Sequence, residues 1–150
     1  IKYLFPTAKI VPVLVPPNIS AEEIGKAAGK IMLSKTHGRA VAIGSTDLTH
    51  YGAEYGFAPK GIGGESLQWV RDENDKSFID LATALDAKGI LEDSRKKRNA
   101  CGAGAAAAAI AASKEAGSTG GALLEYTTSH DVMPRGKPSL FVGYAGIVVT

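Results

Sequence analysis

The run of small residues from Cys101 to Ala112 constrains the fold of this chain more than any other stretch of its sequence. Apart from Cys101 and Ile110, the run consists of alanine and glycine (CGAGAAAAAIAA). Alanine has the highest helix propensity, and a helix with small side chains lets neighbouring backbone approach closely. We therefore predict a helix that is buried against the sheet of an α/β fold, with Cys101 at its N-terminal end.

Strand-like and helix-like patterns fill the rest of the chain. The predicted strands are Lys9–Val15, Ala40–Gly44, Ala122–Thr128 and Leu140–Val149, and the predicted helices are Ser20–Leu33, closed by His37-Gly38, then Glu73 to about Gly89, and Ile90–Arg98. Ser20 and Glu23 have the spacing of a capping box, and Pro12 places the first strand at an edge or a bulge. This order predicts a mixed sheet whose last two strands form an antiparallel hairpin.

A polar segment, Ser45–Gly52, follows the predicted strand that ends at Gly44. Open α/β sheets usually keep their chemistry outside the carboxyl ends of buried strands. Asp47 and His50 are the residues of this segment that can hold or move a proton near neutral pH. The alternative is that a hydroxyl or the carboxylate caps a short helical turn, and spacing alone leaves both interpretations open.

We predict that Ser45, Thr46 and Tyr51 line a pocket around these two residues. The loop that follows, residues 52–64, is rich in glycine and carries Tyr55 and Phe57. These aromatic side chains either wall the same pocket or cover the edge of the core.

Cys101 is the second candidate for chemistry. A thiol at a helix N-terminus faces free backbone N–H groups, which favour the thiolate, and the cations Lys97 and Arg98 act in the same direction. A thiolate there can be a nucleophile or a ligand for iron, copper or zinc. With His50 and Asp47 it permits either a cysteine hydrolase or a metal site beside a histidine base. The alternative is a small hydrophobic residue that begins a tightly packed helix.

The composition of the chain excludes several other classes of protein. A formal net charge of +2 over 150 residues gives no electrostatic case for binding nucleic acid. No apolar run approaches the ~20 residues that span a bilayer, and no signal peptide is recognisable. One cysteine, Cys101, fits a reducing compartment. Gly102–Ala107 matches a dinucleotide fingerprint but follows no strand. We expect a cytoplasmic protein without nucleic-acid, membrane or dinucleotide partners.

Several motifs together resemble the Memo-like family, also called AmmeMemoRadiSam system protein B. In chain order they are Ser45–Gly52 (STDLTHYG), Glu73–Asp75 (END), Asn99–Gly102 (NACG), Tyr126–Ser129 (YTTS) and Gly143–Ala145 (GYA). They run over essentially all of the chain but match only the C-terminal half of the family's usual length. The chain also begins at Ile1 rather than at a methionine. We therefore expect a single α/β unit, residues 1–150, that is the C-terminal half of a larger domain.

The resemblance implies a three-layer sandwich with a mixed, mainly parallel sheet, as in class III extradiol (LigB-type) dioxygenases. In those enzymes two histidines and a carboxylate hold iron, and a further histidine acts as a base. By position, Cys101 takes the place of the metal-ligand carboxylate, and His50 is the base with Asp47 beside it. The two ligand histidines would lie upstream of Ile1, so iron or copper binding would need them.

Three functions follow as hypotheses. The first is a metal-dependent redox or dioxygenase-like protein that acts on a small-molecule ligand. The second is a non-catalytic adaptor that binds a peptide or a radical-SAM partner protein. The third is a cysteine hydrolase that uses Cys101 and His50.

Overall fold

The computed structural model describes residues 1–37 and 39–150. In chain order the elements are α1 (Ser20–Thr36), β1 (His50–Gly52), a 3-10 turn (Ala53–Tyr55), α2 (Gly64–Trp69), a π-helical segment (Val70–Asp75), α3 (Lys76–Thr83), α4 (Ala87–Lys97), α5 (Ala103–Glu115), β2 (Gly121–Thr128), α6 (Ser129–Val132) and β3 (Leu140–Val149). In the described part of the chain, no helix is long and apolar enough to cross a membrane. Helices and strands both occur among these elements, so the fold is α/β, as predicted.

The sheet has three strands in the order β1-β3-β2, and both pairings are antiparallel. His50 lies opposite Val142 in the first pairing, and Thr128 lies opposite Gly143 in the second. The predicted hairpin of the last two strands is confirmed. A mainly parallel sheet within a three-layer sandwich is not confirmed, because the described residues form only antiparallel ladders.

The predicted strands Lys9–Val15 and Ala40–Gly44 are not strands in the structure. Most of their large apolar side chains are exposed: Leu14 is 98% exposed and Val41 is 84% exposed. Apolar, β-branched residues favour an extended backbone, but a strand also requires a hydrogen-bonded neighbour. The local pattern therefore could not by itself produce a ladder.

Helix α1 lies where it was predicted, but its capping box does not form. The N-cap residue is Ile19, and the backbone N–H of Ser20 donates to the side-chain oxygen of Asn18 at 3.0 Å. At the other end, His37 has a left-handed backbone with φ 52° and terminates the helix, as expected, whereas Gly38 lies outside the described residues. Asn18 takes the role that the sequence pattern assigned to Ser20.

The middle helix has different limits from the predicted ones. Helical structure starts at Gly64 and ends at Thr83, and Leu85 then adopts a left-handed φ of 56°. The side chain of Asp86 accepts a hydrogen bond from the N–H of Gly89 at 2.8 Å and caps α4. The apolar periodicity continues across this break, which explains why the predicted boundary between the two helices lies near Gly89 and not between Thr83 and Ala87.

Helix α5 is buried, as predicted, but its main neighbours are helices. Its small residues lie against α1, where a Cβ added to Gly25 would come within 2.3 Å of the carbonyl oxygen of Ala108. Helix α4 contacts another side of α5, while α3 contacts β2 and β3. A second cluster of Tyr51, Val70 and Phe141 fills the space under β1. Leu48 belongs to the main buried cluster, which residues of α3, α4 and α5 form, and Tyr51 belongs to this second one. Buried side chains therefore anchor the backbone at both positions.

Candidate functional site

The structure brings Asp47, His50 and Cys101 together. One possible ligand atom from each residue lies within 4.8 Å of those of the other two. The Nε2 atom of His50 lies 3.3 Å from Oδ2 of Asp47. A carboxylate at this distance orients the imidazole ring through a hydrogen bond. The three groups thus form one cluster, although 51 positions separate His50 from Cys101 in the sequence.

Backbone hydrogen bonds hold the two parts of this cluster against each other. The N–H of Cys101 donates to the carbonyl oxygen of Asp47 at 3.2 Å. The N–H of Gly102, the N-cap residue of α5, donates to the hydroxyl of Thr46 at 2.8 Å. A Cβ on Gly102 would lie 2.5 Å from the carbonyl oxygen of Ser45, so glycine permits this contact. Residues 47–49 do not form the helical turn that Thr46 would have capped. The Thr46 hydroxyl instead accepts a hydrogen bond from the N-cap residue of α5.

The cluster is open to solvent and small molecules. The side chain of His50 is 33% exposed and that of Asp47 is 48% exposed. Cys101 is also exposed, and its Sγ atom lies 3.9 Å from the hydroxyl of Thr46. Among the described residues, no hydrogen bond joins this sulfur to the imidazole of His50. The thiol and the imidazole face a common centre without forming a direct pair.

Two tyrosines stand beside the cluster. The ring of Tyr55 packs on His50 with centroids 4.9 Å apart. Burial raises the pKa of Tyr144, and the negative charge of Asp47 and the neighbouring Tyr55 add to this effect. Sequence reasoning included Tyr55 among the aromatic residues that could wall the pocket, but it missed Tyr144. The signal for Tyr144 is strand periodicity, since it lies two residues from Val142, the partner of His50 in the ladder.

Arg98 clamps the loop that carries Tyr55. Its guanidinium donates to the carbonyl oxygens of Gly56 at 2.9 Å and Tyr55 at 3.0 Å, and it lies 5.0 Å from the ring centre of Phe57. Arg98 terminates α4 with a left-handed φ of 55°. Because Cys101 follows three residues later, one short segment supports both the thiol and the aromatic wall of His50.

A buried polar network lies behind His50 and is centred on Asp75. Its carboxylate accepts hydrogen bonds from the N–H of Thr49 at 2.9 Å, from the hydroxyl of Thr49, and from the hydroxyl of Tyr126 at 2.7 Å. Burial raises the pKa of Asp75, although these three donors oppose the shift. Burial and the adjacent Asp75 carboxylate also raise the pKa of Tyr126. The network therefore fixes the residue that precedes His50.

Two buried asparagines extend this network to the Cys101 segment. The amide of Asn74 donates to the hydroxyl of Thr49 at 2.8 Å, and the amide of Asn99 donates to the carbonyl oxygen of Asn74 at 2.8 Å. Asn99 also donates to Asp93 at 2.8 Å. Burial acts to raise the pKa of Asp93, but hydrogen bonds from Ser77, Asn99 and Lys97 outweigh it and lower the pKa. The sequence placed Asn74 and Asp75 at a helix start and in one of the family motifs, but it did not assign them to the site.

The remaining predicted pocket residues lie elsewhere. Tyr51 is completely buried and stacks on Phe141 with centroids 4.9 Å apart, and its hydroxyl bonds to backbone groups of Lys60 and Gly61. Ser45 is exposed, and its carbonyl oxygen lies against Gly102. Of the three predicted lining residues, Thr46 alone places its side chain in the cluster.

A solvent-accessible Asp–His–Cys cluster on a small α/β framework defines this chain as a candidate metal- or thiol-dependent protein. The Memo-like protein family model matches residues 1–148, so the chain belongs to the Memo-like family. This confirms the family assignment that the sequence motifs suggested.

Curated relatives give the same result. The chain is 36% identical over 145 residues to a MEMO1 family protein of Pyrococcus furiosus, a match that covers 94% of this chain and 48% of the relative. It is 38% identical over 132 residues to one of Methanosarcina acetivorans, with 87% and 43% covered. It is 33% identical over 142 residues to one of Nitrosopumilus maritimus, with 93% and 45% covered. The chain spans about half the length of the curated relatives it matches.

Proposed function

We propose that Asp47, His50 and Cys101 form part of the site of a metal-dependent redox or dioxygenase-like protein that acts on a small molecule. The observation that carries this proposal is the convergence of three possible ligand atoms within 4.8 Å of one another. Their types also differ: a thiol, an imidazole and a carboxylate face the same centre. In this proposal Cys101 is the metal ligand, and His50 with Asp47 handles protons.

The donor set fits iron or copper. A thiolate suits these soft or borderline metals, and the two histidines implied by the resemblance would add imidazole ligands, whereas magnesium and calcium prefer oxygen ligands alone. When bound, such a metal would supply redox chemistry and activate the small molecule at its open positions. The exposure of Cys101 and the half-exposure of His50 leave room for a ligand to approach the same centre.

The role of each residue follows from its contacts. Cys101 presents its sulfur from the segment just before α5, where the hydroxyl of Thr46 lies 3.9 Å from the sulfur. The imidazole of His50 takes the role of the base, because it is half-exposed in the cluster and the Asp47 carboxylate 3.3 Å away orients its ring. Tyr55 covers one side of the imidazole and limits its rotation.

The geometry favours this proposal over a cysteine hydrolase. A hydrolase needs its thiol and imidazole in hydrogen-bond contact so that the imidazole can take the thiol proton. In the part of the chain that the structure describes, His50 is hydrogen-bonded to Asp47, and the hydrogen-bond contact of the Cys101 sulfur is with Thr46 at 3.9 Å. We therefore assign Cys101 to a metal and not to an acyl group.

The proposal includes the finer fold expected from the resemblance. A mixed, mainly parallel sheet within a three-layer sandwich would belong to the complete Memo-like domain, of which this chain forms one half. The coverage of 43% of the Methanosarcina acetivorans relative supports this division.

The test is metal content and metal spectroscopy of this chain joined to the half of a Memo-like polypeptide that it does not match, since the two ligand histidines implied by the resemblance are expected there. We expect iron or copper to bind with thiolate-to-metal charge-transfer absorption, and Cys101→Ser to abolish that absorption. His50→Gln should alter binding less, because it removes the proposed base and keeps the thiolate. A matched control is His37→Asn, which changes an exposed histidine at a left-handed position that asparagine tolerates.

Equal metal content and equal absorption in the wild type and Cys101→Ser would remove Cys101 as a ligand. If the protein also captured a peptide or a radical-SAM partner equally well in both forms, the adaptor function would replace the metal-dependent one. A thiol-reactive probe gives the remaining distinction. Labelling of Cys101 that falls sharply in His50→Ala would indicate the hydrolase.

A further inference from the structure

A β-bulge interrupts the sheet immediately before β1. His50 lies opposite Val142 in the register of β1 and β3. A regular antiparallel ladder would next pair Thr49 with Gly143 through two backbone hydrogen bonds. The N–H of Gly143 does donate to the carbonyl oxygen of Thr49 at 3.0 Å, but the N–H that donates to Gly143, at 2.9 Å, belongs to Leu48. Two residues therefore oppose one, which defines a β-bulge.

The bulge changes the side of the sheet to which the preceding side chains point. Side chains alternate along a regular strand, so Asp47 and His50, three positions apart, would point to opposite faces. The register without a bulge would place Asp47 opposite Ala145, which packs against the main buried cluster. It would place Leu48 opposite Tyr144, which is 39% exposed. Leu48 is instead 3% exposed, and the Asp47 carboxylate lies beside the imidazole of His50. The extra residue of the bulge therefore puts both titratable side chains on one face.

The bulge depends on an acceptor outside the ladder. Because the carbonyl oxygen of Gly143 accepts from Leu48, the N–H of the completely buried Thr49 needs another partner. A buried N–H without an acceptor is costly, and nearly all such groups are paired in folded proteins. The Asp75 carboxylate accepts this N–H at 2.9 Å, and it lies against Gly143, where a Cβ would overlap the carboxylate. Asp75 thus satisfies the backbone donor that the bulge removes from the ladder.

Further contacts hold the bulge on both sides. The hydroxyl of Thr49 also donates to Asp75, and the amide of Asn74 donates to that hydroxyl at 2.8 Å. Asp47, which precedes the bulge, accepts a hydrogen bond from the N–H of Cys101 through its backbone carbonyl oxygen. The position of the bulge therefore determines how Asp47 meets the segment that carries the thiol.

We propose that Asp75 is a positioning residue of the candidate site, because it holds the bulge that places Asp47 and His50 on one face of the sheet. Asp75 acts on these side chains through the backbone of Thr49. When the acceptor is removed, the ladder returns to its regular register, and the Asp47 carboxylate moves away from the imidazole. The inference deepens the proposed function and rests on it for the proton-handling role of the pair. The placement of the two side chains can be tested without a metal.

The test is NMR spectroscopy of isotope-labelled, metal-free protein, again with the unmatched half of a Memo-like polypeptide joined to this chain. Couplings through hydrogen bonds identify the acceptor of each backbone N–H. In the wild type we expect a coupling from the N–H of Leu48 to the carbonyl of Gly143 and one from the N–H of Thr49 to the carboxylate of Asp75. A coupling from the N–H of Thr49 to the carbonyl of Gly143 would show a regular ladder and overturn the proposal.

The ring nitrogens of His50 report the placement of the two side chains. The neutral ring should carry its proton on Nε2 in the wild type, because the Asp47 carboxylate lies 3.3 Å from that nitrogen and accepts its hydrogen bond. The nitrogen shifts of the ring distinguish this form from the one protonated on Nδ1, and their absence in His50→Gln assigns them.

Three variants test whether Asp75 is responsible. Asp75→Leu removes the acceptor, so the Leu48 coupling and the preference of His50 for the Nε2 proton should both be lost. Asp75→Asn should restore both signals, since its side-chain oxygen still accepts from the N–H of Thr49. Tyr126→Phe is the matched control: it removes another hydrogen bond to the same carboxylate and should lower stability while it leaves both signals unchanged.

The possible outcomes separate this inference from the metal-dependent function. Wild-type signals that persist in a folded Asp75→Leu protein would overturn the positioning role, and so would their equal loss in Tyr126→Phe. The wild-type couplings and the comparison of Asp75→Asn with Tyr126→Phe decide the question even if Asp75→Leu does not fold. The expected signals in a protein that binds no iron or copper would support the inference and contradict the metal-dependent function.

Discussion

The carboxylates of Asp75 and Asp47, which contact Thr49 and His50, have opposite surroundings. Asp75 is completely buried and accepts hydrogen bonds from Thr49 and Tyr126, whereas the Asp47 side chain is 48% exposed and contacts His50 at 3.3 Å. A buried carboxylate is tolerable only with several donors, while an exposed one needs none. The comparison separates the scaffold of the site from its reactive groups, which are free to bind a ligand.

The largest expected effect is the loss of the buried carboxylate. Asp75→Ala leaves three donors without an acceptor, so we expect the free energy of unfolding to fall by more than about 3 kcal/mol. Asp47→Ala should change it by less than about 0.5 kcal/mol, as surface substitutions usually do. Chemical denaturation of both variants measures the difference.

The control for this prediction is Asp75→Asn. It keeps one oxygen for Thr49 and removes the buried charge, so the loss should be less than about 1.5 kcal/mol. Similar losses for Asp75→Ala and Asp47→Ala would contradict the division between scaffold and reactive groups.

Gly143→Ala should have the next largest effect. A Cβ at this position would overlap the Asp75 carboxylate, at 1.9 Å from Oδ2, and it would force that side chain or β3 to move. We expect a loss of about 1–3 kcal/mol in the free energy of unfolding, as for other overpacked sites. Gly146→Ala on the same strand is the control, since a Cβ there meets no atom within 4 Å. Equal effects of the two substitutions would show that the carboxylate does not need this space.

Arg98→Ala tests the connection between the scaffold and the reactive cluster. It removes two hydrogen bonds to the Tyr55 loop, so we expect a loss of about 1 kcal/mol in the free energy of unfolding. The His50 ring resonances in NMR spectra should also shift, because Tyr55 would no longer be held against the imidazole. Arg95→Ala removes a neighbouring cation of α4 and should leave those resonances unchanged. Unshifted His50 resonances in Arg98→Ala would disprove the clamp.

The smallest effect is the pH dependence that Asp75 contributes. Because burial raises the pKa of Asp75 above its value in the unfolded chain, the folded state binds more protons between these two values. The contribution of Asp75 to the free energy of unfolding therefore decreases as pH rises through that interval and is constant above it. Denaturation of the wild type and Asp75→Asn from acid to neutral pH should give a difference that changes in this direction. A difference independent of pH would contradict the raised pKa.

The parts of the fold that depend on local pattern could be predicted from the sequence. The β2–β3 hairpin and the small-residue helix α5 follow from patterns within each segment. The strands Lys9–Val15 and Ala40–Gly44 could not be confirmed in the same way, since a ladder depends on a second strand that the pattern does not contain. The break at Leu85 was also missed, although Asp86 with Gly89 three residues later is a recognisable cap.

The residues of the candidate site were also only partly predictable from the sequence. Asp47 and His50 were recognisable as titratable residues after an apolar run. Their spacing did not connect them with Cys101, and only the family resemblance placed the three residues in one site. Asp75 was missed because a carboxylate near a helix start usually faces solvent. Only the packing of the π-helical segment against Thr49 reveals that this carboxylate is buried.

The most direct test of the central claim is X-ray absorption spectroscopy of the iron- or copper-loaded protein, prepared with the unmatched half of a Memo-like polypeptide joined to this chain. If Cys101 is a ligand, the nearest shell of atoms around the metal contains sulfur, and that sulfur disappears in Cys101→Ser while the protein stays folded. Cys101 is the chain's one cysteine, and Met32 and Met133 are its two methionines. A sulfur signal that the Cys101→Ser substitution removes therefore comes from Cys101 and not from a methionine. A shell of nitrogen and oxygen alone in the wild type would contradict the assignment of a metal site to Asp47, His50 and Cys101.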